Sequence, residues 1–461
     1  MSRRDASLPA IQHERGPFRK AVLPVKKIRA SLRSPKRRTA TRTAVSRHGS
    51  VRWSLPGGVG TKPTGKNGAV NAVALSFWTS AGLLLYSQAG YPLLLAVVSR
   101  ARRGIAGNPA TSSRTATTRS AQSQKLHGAV CPFVSVIVAA YAEESVIARR
   151  VKNLIALDYP RDRFEVIVSC DGSPDRTAER ARAAGADVVL DRPRAGKVRA
   201  QDAGVDRARG EILAFGDANS LWEPGALQAL VAAFEDPEVG YVCGEVELVS
   251  DGGTSQEGLY WRYEMVLRRL ESDLRSVTGG NGAIYAARRE AYLRVDAVMG
   301  HDLSFPFNMV KRGWRAVYEP KAKATEKTVP SVEGEFARKR RFMGHTWPIV
   351  VRGGMLSPRG YDPLYALMIF SHRTLRYFSP VLHVTALATS LALMRRSRIY
   401  AAAAAGQLAV LGAGAVAPVM PARPLLIARH YILTTTSVAV GFWDWLTGGT
   451  SPGWEPVKEV R

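Results

Sequence analysis

Cysteine is scarce in these 461 residues: Cys131, Cys170 and Cys243 are the only three, and they form no CxxC or Cys/His spacing. So small and unpatterned a set argues against a disulfide framework and a zinc site, and places its segment most simply in the cytosol. Acidic residues are nearly missing from positions 1–68, where 17 Lys or Arg face only Asp5 and Glu14, so more than half of the net charge of +27 sits there. The remainder is only mildly basic, and no specific nucleic-acid partner is expected. The opening stretch 1–68 also lacks hydrophobic periodicity and is rich in Pro, Gly, Ser and Thr, so it reads as a disordered basic tail that binds anionic surfaces weakly. Methionine is absent between Met1 and Met265, so the alternative, a start near Val51, Val59 or Val70, needs a non-ATG codon.

Charge of either sign is absent from Asn67 to Ser99. Residues 69–99 are long enough to cross the ~30 Å hydrocarbon layer as one helix. Arg100, Arg102 and Arg103 follow at once and set that flank in the cytoplasm, although Lys62 and Lys66 weaken the bias. The run is too long and too far from the start for a secretory signal. Residues 100–128 are polar, Ser/Thr-rich and aperiodic, and read as a linker. After Arg352 the chain turns apolar again, so 353–445 is expected to hold interfacial and transmembrane helices, followed by a tail at 446–461. Tyr377–Met394 and Ile399–Ala422 read as spans, and Tyr431–Trp443 as an interfacial or oblique segment. An outward span at 377–394 strands Arg395, Arg396 and Arg398 on the wrong side of the positive-inside rule.

Between these flanks, 129–352 has a different rhythm. Apolar runs at 134–140, 164–172, 187–190 and 211–219 alternate with helical patterns at 143–157, 175–184, 196–208 and 224–234. Short β-branched runs separated by helices predict right-handed βαβ units around a mostly parallel, Rossmann-like sheet, an α/β fold class. In such a sheet a ligand lies beyond the carboxyl ends of the strands. Those ends carry Tyr141-Ala142-Glu143, Asp171-Gly172-Ser173 and Gly216-Asp217-Ala218-Asn219. Each Asp alone is most simply a helix cap or turn residue. Three such ends on one sheet edge point to a ligand.

Taken in order, these segments resemble family 2 of the inverting, nucleotide-sugar-dependent glycosyltransferases of GT-A type, over about residues 130–350, and within it bacterial exopolysaccharide and poly-N-acetylglucosamine synthase-like enzymes. VSVIVAAYAEE is similar to that family's opening strand and Tyr-Asn-Glu turn, CDGSPDRT to its Asp-Gly-Ser turn, and RAGKVRAQDAG to its Gly-Lys loop. GDAN stands where the family has Asp-x-Asp, GGNGAIYAAR where it has its acceptor-side segment, GHDLSF where it has Glu-Asp-x-x-Leu, and RKRRFMGHTW where polymer synthases have Gln-x-x-Arg-Trp. The resemblance implies a GT-A domain with Tyr141, Glu143, Asp171, Lys197 and Asp217 around the nucleotide donor. It implies a divalent cation, Mg2+ or Mn2+, on Asp217 and Asn219, the latter a neutral replacement for the family's second Asp. Asp302 matches the base, with His301 where the family has Glu. Gly280, Asn281, Arg338, Arg341 and Phe342 fall on the acceptor or phosphate side, and Phe342 in place of Trp argues against processive synthesis.

These roles agree with the chemistry. A diphosphate leaving group needs its charge neutralised, which a hard cation on one or two carboxylates does. Inversion needs a carboxylate within reach of the acceptor hydroxyl. The expectation is a membrane-anchored inverting transferase at the cytoplasmic face of a bacterial inner membrane, moving a sugar, UDP-linked by resemblance, to a saccharide or lipid-linked acceptor in polysaccharide or envelope synthesis. A polyprenyl-phosphate sugar transferase is the rival within the class. A non-catalytic membrane scaffold binding anionic polymers is the rival outside it, but a scaffold needs no acids at three strand and helix ends.

Overall fold

The structure is a computed structural model and describes residues 64–105, 131–249, 256–327 and 332–453. Most of the expected basic tail and linker lies outside the described residues. Chain order runs α1 (Thr64–Leu85), α2 (Tyr91–Ile105), β1 (Val134–Ala140), α3 (Ile147–Ile155), β2 (Phe164–Asp171), α4 (Thr177–Ala183), β3 (Val188–Arg192), α5 (Lys197–Arg207), β4 (Ile212–Asp217), β5 (Leu221–Trp222) and α6 (Ala226–Ala232). Then follow β6 (Val239–Val249), α7 (Gln256–Leu274), β7 (Tyr285–Arg288), α8 (His301–Lys311), β8 (Arg315–Lys327), α9 (Val332–Val351), α10 (Pro363–Met368), α11 (Leu375–Leu393), α12 (Arg398–Val416) and α13 (Arg423–Gly448).

The eight strands form one mixed sheet in the order β3-β2-β1-β4-β7-β6-β8-β5. β1 to β4 are parallel, as the βαβ rhythm predicts, while β7 runs antiparallel between β4 and β6, and β5 antiparallel to β8. All seven residues of β1 are buried, because a central parallel strand is covered on both faces. Val134, Val136 and Val138 pack with Ile147, Val151 and Leu154 of α3 and Leu227 and Leu230 of α6. Ile137 points the other way, to Val205 of α5, Met265 of α7 and Phe305 and Met309 of α8. Register aligns Ala139 with Asp217 and Ala140 with Cys170, so the β1, β2 and β4 ends form one edge. The three cysteines are free.

Among the described residues, three helical stretches are long and apolar enough to cross a membrane: Gly68–Arg102, Arg398–Val416 and Arg423–Gly448. The first joins α1 and α2 through a π-turn at Tyr86–Gly90. Its 35 residues exceed the ~20 needed for a span, and the surplus carries α2 onto the domain, where Tyr91 and Leu95 pack on Leu267 and Leu274 of α7. Two expectations shift here. The C-terminal segment read as interfacial or oblique over 431–443 is part of the 26-residue α13, because the helix continues unbroken through Arg429 and His430. The 377–394 segment forms α11 but is not among the stretches apolar enough by composition; it packs along α1. Trp347 and Val350 of α9, Tyr365 and Met368 of α10 and Val438 and Trp445 of α13 form a further apolar cluster beneath the domain.

Candidate active site

The strand ends converge as their register requires. Leaving β1, the chain turns through Ala142 at φ 51°, a left-handed conformation that costs a non-glycine residue energy and marks a constrained turn. This turn brings the Glu143 amide to Thr177 Oγ1 at 2.8 Å and buries the Glu143 side chain. Beside it Arg194 lies over the Tyr141 ring, 3.8 Å from its centroid, and donates to the Tyr141 hydroxyl at 2.5 Å. Asp171, 1% exposed, accepts from the Ala195 amide at 2.6 Å and the Gly196 amide at 3.0 Å. The end of β2 thereby fixes the loop that opens α5. Gly196 has φ 100°, and a Cβ there would overlap the Pro452 carbonyl.

Lys197, the first residue of α5, donates its Nζ to Asp217 at the end of β4. Burial works against the Lys197 charge, but Asp217, Asp302 and Glu326 outweigh it and hold its pKa above the ordinary value. Gly282 leaves the other Asp217 oxygen open, since a Cβ would stand 3.1 Å from Oδ2. No group of three or more His, Cys, Asp or Glu side chains able to hold a metal occurs among the described residues. The donor set is one carboxylate with partly exposed Asn219 beside it, which fits a hard divalent cation that takes its remaining oxygens from a diphosphate and water.

Asp302 lies in the first turn of α8, 85 residues after Asp217, yet the two are within electrostatic reach. Burial and the Asp217 charge raise the Asp302 pKa, against opposing effects of Lys197, the Leu303 amide and Arg268. The Asp302 backbone carbonyl accepts from the Gly280 amide at 2.6 Å, tying the glycine turn to the acid. A Cβ at Gly280 would overlap the Tyr241 hydroxyl. Asn281 is 5% exposed and has both ends of its amide on backbone, Nδ2 on the Gly244 carbonyl at 2.8 Å and Oδ1 on the Ile284 amide at 2.9 Å. It shapes the turn. His301 points away from the cleft: its Nδ1 meets the Tyr285 hydroxyl at 2.9 Å, its ring stacks on Phe305, and burial and then Lys197 push its pKa down to about 3.

On α9 the consecutive cations divide. Lys339 meets Thr434 at 3.0 Å, and Arg340 pairs with Asp444 at 2.6 Å, both on α13. Arg338 acts on the site carboxylate Glu326, and Arg341 on His345, which Asp302 also influences. Phe342 is 46% exposed.

Three site residues escape a motif reading. Arg150 of α3 is fully buried, sits over the Trp222 ring at 4.8 Å, and turns Nη2 toward Gly216, with its pKa lowered to about 9 by burial against the pull of Asp217 and Glu326. Its signal is visible in retrospect, since it shares a helical stripe with Ile147, Val151 and Leu154. Glu326 near the end of β8 is a second carboxyl raised by burial and Asp217. Arg194 opens the RAGKVRAQDAG segment, but nothing in that motif marks it as the partner of Tyr141.

The family model described as glycosyl transferase family 2 matches residues 135–296. Glycosyltransferase AglE of Haloferax volcanii is 31% identical over 132 residues, 27% of this chain and 43% of that relative. A beta-monoglucosyldiacylglycerol synthase of Nostoc sp. is 38% identical over 118 residues, 24% of this chain and 25% of that relative. The chain thus spans less than half of either relative's length. Among solved structures, a mannosyltransferase of Pyrobaculum calidifontis in complex with GDP-Man and Mn2+ superposes with a TM-score of 0.59 at 22% identity, covering 82% of this chain and 99% of that one. At that identity the likeness shows the GT-A fold. Residues 135–296 of the chain thus carry a glycosyl transferase family 2 domain.

Proposed function

We propose that the protein is a membrane-anchored inverting glycosyltransferase that moves a sugar from a nucleoside-diphosphate donor, UDP-linked by the motif resemblance, to a saccharide or lipid-linked acceptor at the cytoplasmic face. The single observation that carries this reading is the convergence of Lys197, Asp217 and Asp302, from three separate elements, into one electrostatic cluster beyond the strand ends. Tyr141 offers an aromatic face and Asp171 a fixed loop for the nucleoside. Lys197 is a point charge for the diphosphate, released from Asp217 when phosphate arrives. A divalent cation on Asp217 and Asn219, with Mg2+ or Mn2+ both suited, would neutralise the leaving diphosphate. The raised pKa of Asp302 suits a group that takes the acceptor hydroxyl's proton as the new bond forms.

Two findings support the membrane setting. The apolar helices flank the domain and pack on it, and a partial relative is named for glucosyl transfer to diacylglycerol. The Arg100, Arg102 and Arg103 cluster supports a cytosolic domain, in a bacterial-type inner membrane. A screen of UDP- and GDP-sugars for thermal stabilisation of the full-length protein, with Mn2+ and with chelator, tests the donor assignment. The reading predicts metal-dependent stabilisation by at least one of them. Stabilisation by none, or equal stabilisation in chelator, contradicts it.

A further inference from the structure

The Gly279–Gly280 turn is surrounded by buried hydrogen-bond donors without acceptors. Arg268 of α7, 4% exposed, lies over the Trp261 ring and gives Nη2 to the Gly280 carbonyl at 2.6 Å, yet its Nε and Nη1 have no hydrogen-bond partner among the described residues. Arg373, 7% exposed and in the π-turn that precedes α11, gives Nε to Thr278 Oγ1 at 3.0 Å. Its Nη2 is without a partner and faces Gly279, where a Cβ would lie 2.5 Å away. Tyr241, fully buried on β6, aims an unpartnered hydroxyl at Gly280. An unmatched buried donor is costly, and three residues from three elements around one turn are not a packing accident.

Two guanidinium groups converge on this turn. Glu264 and Glu271 act on the Arg373 charge, but their hydrogen bonds go to other groups. Glu264 is held by Arg376 and His372, and Glu271 by Tyr91 at 2.8 Å, Thr278 at 3.0 Å and His372 at 2.7 Å. Asp302, the acid that acts on Arg268, is the same residue that must receive the acceptor's proton. What the turn lacks is acceptors for these donors.

We propose that Arg268, Arg373 and the Tyr241 hydroxyl form a subsite for a phosphate group carried by the acceptor, which sets the acceptor's hydroxyl against Asp302. The proposal rests on the transfer reading above and deepens it by naming the acceptor class, a phosphate ester. Guanidinium forks from two sides and a phenol match the several oxygens of a phosphate better than the two of a carboxylate. Filling the subsite moves the glycine pair off Arg373, which the absence of side chains at 279 and 280 permits. Because the Gly280 amide binds the Asp302 carbonyl, phosphate entry also sets the base. In the transfer step the acceptor oxygen bonds the anomeric carbon, its proton passes to Asp302, and the bond from that carbon to the diphosphate breaks with the electron pair leaving on the nucleoside diphosphate. Arg373 leads into α11 and Tyr91 lies on α2, so the subsite borders the helices that flank the domain.

The test uses full-length protein in phosphatidylcholine nanodiscs, with the nucleotide site saturated by UDP (in a parallel series, GDP) and Mn2+, so that added phosphate cannot report on Lys197. Thermal unfolding is followed against inorganic phosphate, with chloride at equal ionic strength as the reference. The expected result is a saturable upward shift whose apparent Kd rises about tenfold or more in Arg268→Lys and in Tyr241→Phe, with the nucleotide-induced shift unchanged. Tyr241→Phe keeps the ring and guards against simple misfolding. Soluble glycerol 3-phosphate and nanodiscs doped with a polyprenyl monophosphate then distinguish a soluble from a lipid-borne ester. No shift beyond chloride, or equal shifts in wild type and both variants, overturns the subsite. If neither nucleotide stabilises the protein while phosphate does, the transfer reading fails and the anion site stands.

Discussion

Asp302 is poised by its surroundings, and two tests act on single side chains. Its pKa is raised by burial and by Asp217, so it remains protonated to a higher pH than an ordinary Asp near ~3.9. A base works only when deprotonated, so turnover should fall as pH drops through a limb above that value. A pH profile of kcat in the wild-type protein checks it. Gly280→Ala should lower stability by ~1–3 kcal/mol through overlap with the Tyr241 hydroxyl. Adding Tyr241→Phe should recover part of the loss, and a double-mutant cycle of thermal melts measures it. Lys197, Asp217 and Asp302 were legible in the sequence because each stands in an ordered motif at an element end. Arg150, Arg268 and Glu326 were not, because a charge on an apolar helix stripe or in a polar strand reads as surface until the packing shows where it points.

Elements differ in how far the sequence reveals them. β1, β2 and β4 were plain, since central parallel strands are apolar on both faces. β8 was hidden: Arg315–Lys327 carries three Lys, two Glu and a Pro, and only its pairing with β6 and β5 makes it a strand. α13 extends beyond the apolar run 431–443 at both ends, from Arg423 to Gly448. The segment after α13 was expected to be a tail, yet Thr450 Oγ1 donates to the Gly344 carbonyl of α9 at 2.7 Å and Pro452 lies on Gly196 of the donor loop. Removing residues 450–461 should therefore speed nucleotide release several-fold and leave the transfer rate of bound donor unaltered. Stopped-flow release of a fluorescent nucleotide, beside single-turnover transfer, separates the two.

Across the whole molecule, α2, α9 and the turn before α11 join the apolar helices to the candidate site, so helices and site are one structure. The protein should resist extraction by high salt or alkali and be released by detergent, as the three apolar stretches require. No proposed site residue precedes Tyr141, so deleting residues 1–62 should leave transfer unchanged in a reconstituted membrane assay. The central claim is that donor binding and proton removal are divided between the β4 end and α8. The most direct measurement compares donor affinity and single-turnover transfer in full-length Asp302→Asn and Asp217→Asn. Asp302→Asn should bind donor as wild type does while transfer falls ~10²- to 10⁴-fold, and Asp217→Asn should lose metal-dependent donor binding. Wild-type transfer by Asp302→Asn, or undiminished donor affinity in Asp217→Asn, would contradict it.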